Sequence, residues 1–134
     1  MADVTGKPRV IDGDTIAIAG ERIRLHGIDA PEAKQTCQDK DGKEWRCGQD
    51  ATFALANLIG NHWITCKGDK RDRYRRLIAI CYAGPFDLNA KMVRQGWALA
   101  YRRYSMDYVG DEKVAKVSRK GLWRGEFVPP WEWR

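Results

Sequence analysis

Asp12-Gly13-Asp14-Thr15 places two carboxylates two residues apart, so an extended chain projects them from one side. Asp29 and Glu32 follow at the end of a later alternating segment. Hard divalent cations take carboxylates, backbone carbonyls and water as ligands, and Asp14, Asp29 and a carbonyl such as that of Ala30 would make one such set. A D-G-D turn is also ordinary local backbone chemistry, because Asp and Gly favour turns for conformational reasons. Arg24, five residues before Asp29, reads equally as a solvent-facing strand residue or a salt-bridge partner. Beside an acidic cation site its guanidinium fork has a specific use, since it matches two phosphate oxygens. Arg76 could supply a second fork. Two arginines and a cation around a phosphodiester would stabilise the charge that builds on a pentavalent phosphorus. Glu32 is placed to activate a water as general base. Every part needed for phosphodiester hydrolysis is in the sequence.

Other chemistries have fewer parts. His26 and His62 are the two histidines, and neither stands in a nucleophile or metal-ligand pattern. No glycine-rich phosphate loop or dinucleotide fingerprint occurs. Cys37, Cys47, Cys66 and Cys81 form no C-x-x-C knuckle, which argues against zinc. Lys plus Arg number 24 against 18 Asp plus Glu, a net charge of +6 that serves solubility or attracts a polyanion. Its distribution favours the polyanion: Lys67, Lys70, Arg71, Arg73, Arg75 and Arg76 crowd one short segment with only Asp69 and Asp72 against them. A chain of 134 residues with 43% hydrophobic and 31% charged residues suits one globular domain with its own core, not a disordered tail or a fibrous repeat. No apolar run approaches the ~20 residues needed to cross a bilayer. Met1-Ala2-Asp3-Val4-Thr5-Gly6 has neither the basic start nor the apolar stretch of a signal peptide.

The elements that must position these residues follow from periodicity. Segments 9–11, 15–18 and 22–28 read as three antiparallel strands in a meander, with turns at Asp12-Gly13-Asp14 and Ala19-Gly20-Glu21 and a stop at Ala30-Pro31. Residues 33–47 read as a polar excursion loop. Ala51, Leu55, Leu58 and Ile59 mark an amphipathic helix over 48–59 that ends at Gly60-Asn61. Segments 63–66 and 77–82 are two further strands around the basic loop, and helices are expected over 86–96, capped by Gly96, and over 111–120, ended by Gly121. Five short strands with a helix between the third and fourth predict an α+β fold with a mainly β core: a five-stranded OB-type Greek-key barrel with three helices. Such barrels commonly bind oligonucleotides, but a fold is not a function.

Taken together, Asp12-Gly13-Asp14-Thr15, Arg24-Leu25-His26-Gly27-Ile28-Asp29-Ala30-Pro31-Glu32 and Asp72-Arg73-Tyr74-Arg75-Arg76 resemble the staphylococcal nuclease (thermonuclease) family. Leu88-Asn89, Val93-Arg94-Gln95-Gly96, Ala98, Tyr101 and Gly121-Leu122-Trp123 extend the likeness over about residues 8 to 124. The resemblance implies a calcium-dependent phosphodiesterase that cuts DNA and RNA and leaves 3′-phosphate ends. It implies that Asp14 and Asp29 are the calcium carboxylates, with the Ala30 backbone carbonyl as a further ligand and Asp12 just behind them. Glu32 is then the water-activating base, Arg24 and Arg76 the phosphate-binding pair, and Arg73, Tyr74 and Tyr101 contact the nucleotide. The alternative is a non-catalytic OB-type domain that grips nucleic acid without cutting it. A protein-interaction module, the third reading, rests only on the tryptophan-rich end of the chain.

The sequence departs from the family pattern at three places. Ala30 stands where Thr is frequent, a tolerable change if only the carbonyl is used. Arg75 stands where the D-x-Y-G-R pattern has Gly, so a positive φ there would carry strain. The stretch from Gly96 to Tyr101 is one residue shorter than in the best-known member, which leaves the second tyrosine of the pocket open between Tyr104 and a loss. Four cysteines allow three pairings or none. Cys37 with Cys47 would close the excursion loop and Cys66 with Cys81 the basic hairpin, and that pairing implies an oxidising compartment. A secreted or periplasmic protein is then expected, its export signal lying outside this sequence, with the cytoplasm as the alternative. A monomer without membrane contact is expected. Residues 1–134 read as one domain, in which 125–134, with Trp131 and Trp133, form an arm packed over the barrel or the third helix.

Overall fold

The strand segments are short and β-branched, bounded by Gly and Asp turns, and in the computed structural model, which describes residues 2–134, they form one curled sheet. Strand β1 (Ala2–Gly6) is followed by the meander β2 (Arg9–Asp12), β3 (Thr15–Ile18) and β4 (Glu21–Leu25). A two-residue β5 (Ile28–Asp29) comes next, then a small hairpin, β6 (Cys37–Gln38) and β7 (Glu44–Trp45), and helix α1 (Cys47–Ile59). The long strands β8 (Ile64–Arg71) and β9 (Leu77–Ala83) form a hairpin, and β10 (Phe86–Asp87) leads into α2 (Leu88–Arg94). The chain continues through β11 (Leu99–Ala100), α3 (Val109–Val117), a 3₁₀ turn at Gly121–Arg124 and one helical turn, α4 (Pro130–Trp133).

The sheet order is β1-β8-β9-β4-β3-β2, with β10 on the far part of β9. All these pairings are antiparallel except β4 with β9, which run parallel with Arg24 beside Ile78. The five strands expected from periodicity are β2, β3, β4, β8 and β9, in an α+β fold with a mainly β core. The sequence reading missed β1, whose Ala2–Gly6 lies along Gly68–Ile64 of β8. It ran the third strand on to residue 28; the chain breaks instead at Gly27, where φ is +75°. That left-handed turn, open to glycine at little cost, sends Ile28–Asp29 off the main sheet to pair with Leu99–Ala100. The excursion loop is no plain loop either, since its Asp41-Gly42 centre is the bend of the β6–β7 hairpin. Phe86 and Asp87 belong to a strand, not to the second helix, and the Asp87 side chain caps α2 by accepting from the Ala90 N–H at 2.9 Å.

One apolar core joins the elements. Ile16, Ile18, Ile23 and Leu25 of the meander meet Leu55 and Ile59 of α1, Ile64 and Leu77 of the hairpin, and Leu88, Met92 and Val93 of α2. A second cluster sits under the excursion hairpin: Cys37, Cys47, Leu99 and Leu122, covered by Trp45, Trp123 and Phe127. Both disulfides are formed. Cys37–Cys47 ties the hairpin to the start of α1, and Cys66–Cys81 links directly opposed residues of β8 and β9. The arm after the 3₁₀ turn lies against the excursion hairpin, where Gln38 and Glu126 exchange backbone hydrogen bonds, and its end folds into the helical turn of α4. No described helix is long and apolar enough to cross a membrane.

Candidate active site

The turn between β2 and β3 and the end of β5 meet at one corner. Asp14, 5% exposed, accepts the Ala30 N–H at 2.8 Å through Oδ2 and the Thr15 hydroxyl at 3.1 Å through Oδ1. Asp29 is fully buried beside it. The Gly27 break makes this meeting possible, because an uninterrupted third strand would carry Asp29 away along the sheet. Arg24 lies opposite Thr15 in the β3–β4 register and reaches both acids: its Nη1 is 3.3 Å from Asp14 Oδ2 and its Nη2 is 3.4 Å from Asp29 Oδ1. Asp12 sits behind Asp14 and accepts its backbone N–H at 3.1 Å.

Glu32 arrives on a tight turn. Its carbonyl accepts the Gln35 N–H at 2.8 Å, and the Gln35 carbonyl accepts the Gly48 N–H at the start of α1 at 3.1 Å. The Glu32 side chain, about one-third exposed, faces the same corner, for the Arg134 guanidinium bridges it to Asp29. Arg134 Nη1 donates to Glu32 Oε1 at 2.6 Å and to Asp29 Oδ1 at 3.0 Å, and its Nη2 donates to Asp29 Oδ2 at 2.6 Å.

Burial and crowding set the electrostatics. Burial, reinforced by the charge of Asp14, pushes the Asp12 carboxyl up to about 7. Burial likewise raises Asp29 to about 6, although the Arg134 hydrogen bonds pull the other way. Burial also works against the Asp14 carboxylate, but the Arg24 charge and three hydrogen bonds outweigh it and hold the group below its ordinary value. The corner thus holds more carboxylate than Arg24 alone can neutralise, and it draws in a further cation. Among the described residues no group of three or more His, Cys, Asp or Glu side chains is arranged to hold a metal ion by itself. Two carboxylates with backbone oxygen and water form a hard, all-oxygen donor set, which fits calcium, an ion that accepts carbonyls and water alongside carboxylates. Arg134 supplies positive charge at the Asp29 oxygens of this set.

The phosphate and nucleotide candidates divide into two groups. Tyr101 stands near the acidic corner: its N–H donates to the Gly27 carbonyl at 2.9 Å, and its ring meets Tyr104 edge-on at 5.0 Å and Trp131 face to face at 5.3 Å. Tyr104, 68% exposed, is the tyrosine whose ring lies against Tyr101. Arg76 lies on the turn just before β9, the strand whose Ile78 pairs with Arg24. Its Nε donates to Asp72 Oδ2 at 2.7 Å, and its guanidinium lies 5.4 Å from the Tyr74 ring centre. Among the described residues no hydrogen bond or ion pair joins Arg76 to Asp14, Asp29 or Glu32. Arg73 and Tyr74 lie on the same turn, Arg73 Nη2 donating to the Tyr74 hydroxyl at 2.9 Å. Asp72 organises this turn by accepting the N–H groups of Tyr74 and Arg76; against the burial penalty, the Arg76 backbone bond, its guanidinium bond and charge and the Tyr74 bond hold the carboxyl below the ordinary range. Arg75 has φ +65°, the strained geometry that the glycine of the family pattern avoids.

Sequence reasoning gave Gln35 and Arg134 no role and named Asn89 only as part of the family likeness. Asn89, fully buried, accepts the Cys81 N–H and donates to the carbonyls of His26 and Ala79, which fixes the end of β4 to β9. A buried Asn beside an apolar helix start could have signalled this; nothing local signals Gln35 or Arg134, whose partners are supplied by tertiary folding.

A curled OB-type sheet that gathers paired aspartates, a glutamate and an arginine at the mouth of its meander defines a recognisable class of protein. The chain belongs to the staphylococcal nuclease family: residues 22–125 match the staphylococcal nuclease homologues. It is 37% identical over 142 residues to an uncharacterized endonuclease of Escherichia coli O157:H7, covering 99% of this chain and 86% of that protein. It is 33% identical over 153 residues to a micrococcal nuclease of Shigella flexneri, covering 99% and 82%. It is also 37% identical over 126 residues to the succinoglycan biosynthesis protein ExoI of Rhizobium meliloti, covering 92% of this chain and 66% of that one.

Proposed function

We propose that the protein is a calcium-dependent nuclease that hydrolyses phosphodiester bonds of DNA and RNA and leaves 3′-phosphate ends. The observation that carries this reading is the convergence of Asp14, Asp29, Arg24 and Glu32 on one corner. The relatives named endonuclease and micrococcal nuclease support it. In this reading Asp14, Asp29 and the Ala30 carbonyl hold the calcium ion, with Asp12 behind them. Calcium, when bound, supplies positive charge to the phosphate oxygens.

Glu32 accepts a proton from a water, the water oxygen forms its bond to phosphorus, and the bond from phosphorus to the 5′ oxygen breaks. That oxygen takes its proton from solvent, and the phosphate stays on the 3′ side. Arg24 donates to the equatorial oxygens as their charge grows. In this reading Arg76 joins it by leaving Asp72 for the substrate phosphate. Tyr101 and Tyr104 offer a stacking platform, and Arg73, Tyr74 and the net positive β8–β9 turn contact the polyanion. Two disulfides suit an oxidising, extracytoplasmic compartment.

The test is cleavage of single-stranded DNA and of RNA with calcium and with a chelator. Calcium-dependent cleavage is expected, with end analysis finding 3′-phosphates. Glu32→Gln should lower kcat about 10²–10⁴-fold, the range for a lost general base. Folded protein that binds DNA without cutting it would leave the binding-module reading instead.

A further inference from the structure

Residues 126–134 enter the site along an anchored path. Glu126 is paired by backbone hydrogen bonds to Gln38, and Phe127 packs edge-on against Trp123 at 5.0 Å. Gln35, 1% exposed, donates its side-chain amide to the Val128 carbonyl at 2.8 Å. Beyond this anchor, Pro130–Trp133 make one helical turn in which Pro130 is buried while Trp131 and Trp133 stay 38% and 43% exposed. The turn delivers two groups at once. Trp131 lies on the Tyr101 ring with the planes 5° apart, and Arg134 spans Asp29 and Glu32.

Each contact occupies a position that the reaction needs. A guanidinium on both oxygens of Asp29 takes the place of a cation on that carboxylate. An ion pair on Glu32 engages the oxygen that must accept a proton from water. An indole lying flat on Tyr101 covers the ring on which a base would stack. The geometry points to residues 130–134 as a built-in competitor: an autoinhibitory plug that vacates the cation, base and stacking positions before calcium and nucleic acid bind. The anchor at Val128 keeps the released turn tethered, so it returns at the high local concentration of an intramolecular ligand. The partial exposure of Trp131 and Trp133 keeps the area lost on release small. This inference rests on the calcium-dependent nuclease reading of the same corner.

Isothermal titration of calcium into the 134-residue protein, freed of metal by chelation, tests it on wild type and Arg134→Ala, with circular dichroism as the folding check. A plug closed nine times in ten weakens the apparent affinity about tenfold, so Arg134→Ala should bind calcium about tenfold more tightly than wild type. Should Arg134→Ala fail to fold, Trp131→Ala takes its place and is also expected to bind more tightly. Unchanged or weaker calcium affinity in the folded variant overturns the inference. If wild type binds calcium and cleaves DNA while the variant binds no more tightly, only the plug falls. If neither protein binds calcium and neither cleaves, the nuclease reading and the plug fall together.

Discussion

Gly48→Ala probes how the fold holds Glu32. Gly48 sits at the start of α1 against the Glu32 turn, and a methyl there would overlap the Glu32 carbonyl oxygen and come within 2.7 Å of its carbonyl carbon and 2.9 Å of that of Ala33. Both obstacles are backbone, so no side chain can swing aside. The Gly48 N–H is meanwhile bonded to the Gln35 carbonyl, and the Gln35 N–H to the Glu32 carbonyl, so helix and turn move as one. Relief requires the turn to retreat by roughly an ångström, and overpacking of this kind costs about 1–3 kcal/mol. A catalytic group misplaced that far loses about 10²-fold in rate.

The assay is kcat on single-stranded DNA at saturating calcium, with Tm alongside. Gly48→Ala should lower kcat about 10–100-fold even when calcium is saturating. Gly110→Ala is the control: its added methyl meets nothing within 4 Å, and substitution should keep kcat and add about 0.5 kcal/mol of stability. A Gly48→Ala protein with wild-type kcat would refute the claim that this packing positions the base.

Acidity supplies a second check. A carboxyl raised in the folded state favours the protonated fold, so its contribution is complete below the ordinary 3.8 and lost as pH rises through about 6 for Asp29 and 7 for Asp12. Calcium-free protein should therefore melt several degrees higher at pH 5 than at pH 8, and Asp12→Asn should flatten that difference; a Tm that rises with pH over this range contradicts the crowding argument. Replacing Cys66 and Cys81 together by Ala opens a loop with a sequence separation of 15 and should remove about 3 kcal/mol in urea unfolding, with kcat retained. An unchanged midpoint would show that the cross-strand link stabilises nothing. Arg75→Gly should stabilise the protein by about 1 kcal/mol by relieving the +65° φ, read in the same unfolding assay. A loss of stability would mean that the arginine side chain outweighs its backbone strain.

The sequence left the cysteine pairing open between alternatives, but by itself it determined the first two strands of the meander and helix α1, and it named the acids and the arginine as candidates. These depend on local period, turn chemistry and residue type, which a short stretch of chain carries. Asp14 and Arg24 were legible because neighbouring strands of a meander are adjacent by connectivity. Only the tertiary structure decided the rest. Strand β1 pairs with a segment some sixty residues away, Asp29 reaches the corner because of one backbone reversal at Gly27, and Arg76 lies on Asp72 because of its turn. Arg134 meets Asp29 from 105 residues away, and Gln35 meets Val128 from 93. Contacts at such separations leave no periodic trace, because each partner satisfies only its own local rules until folding closes the loop between them.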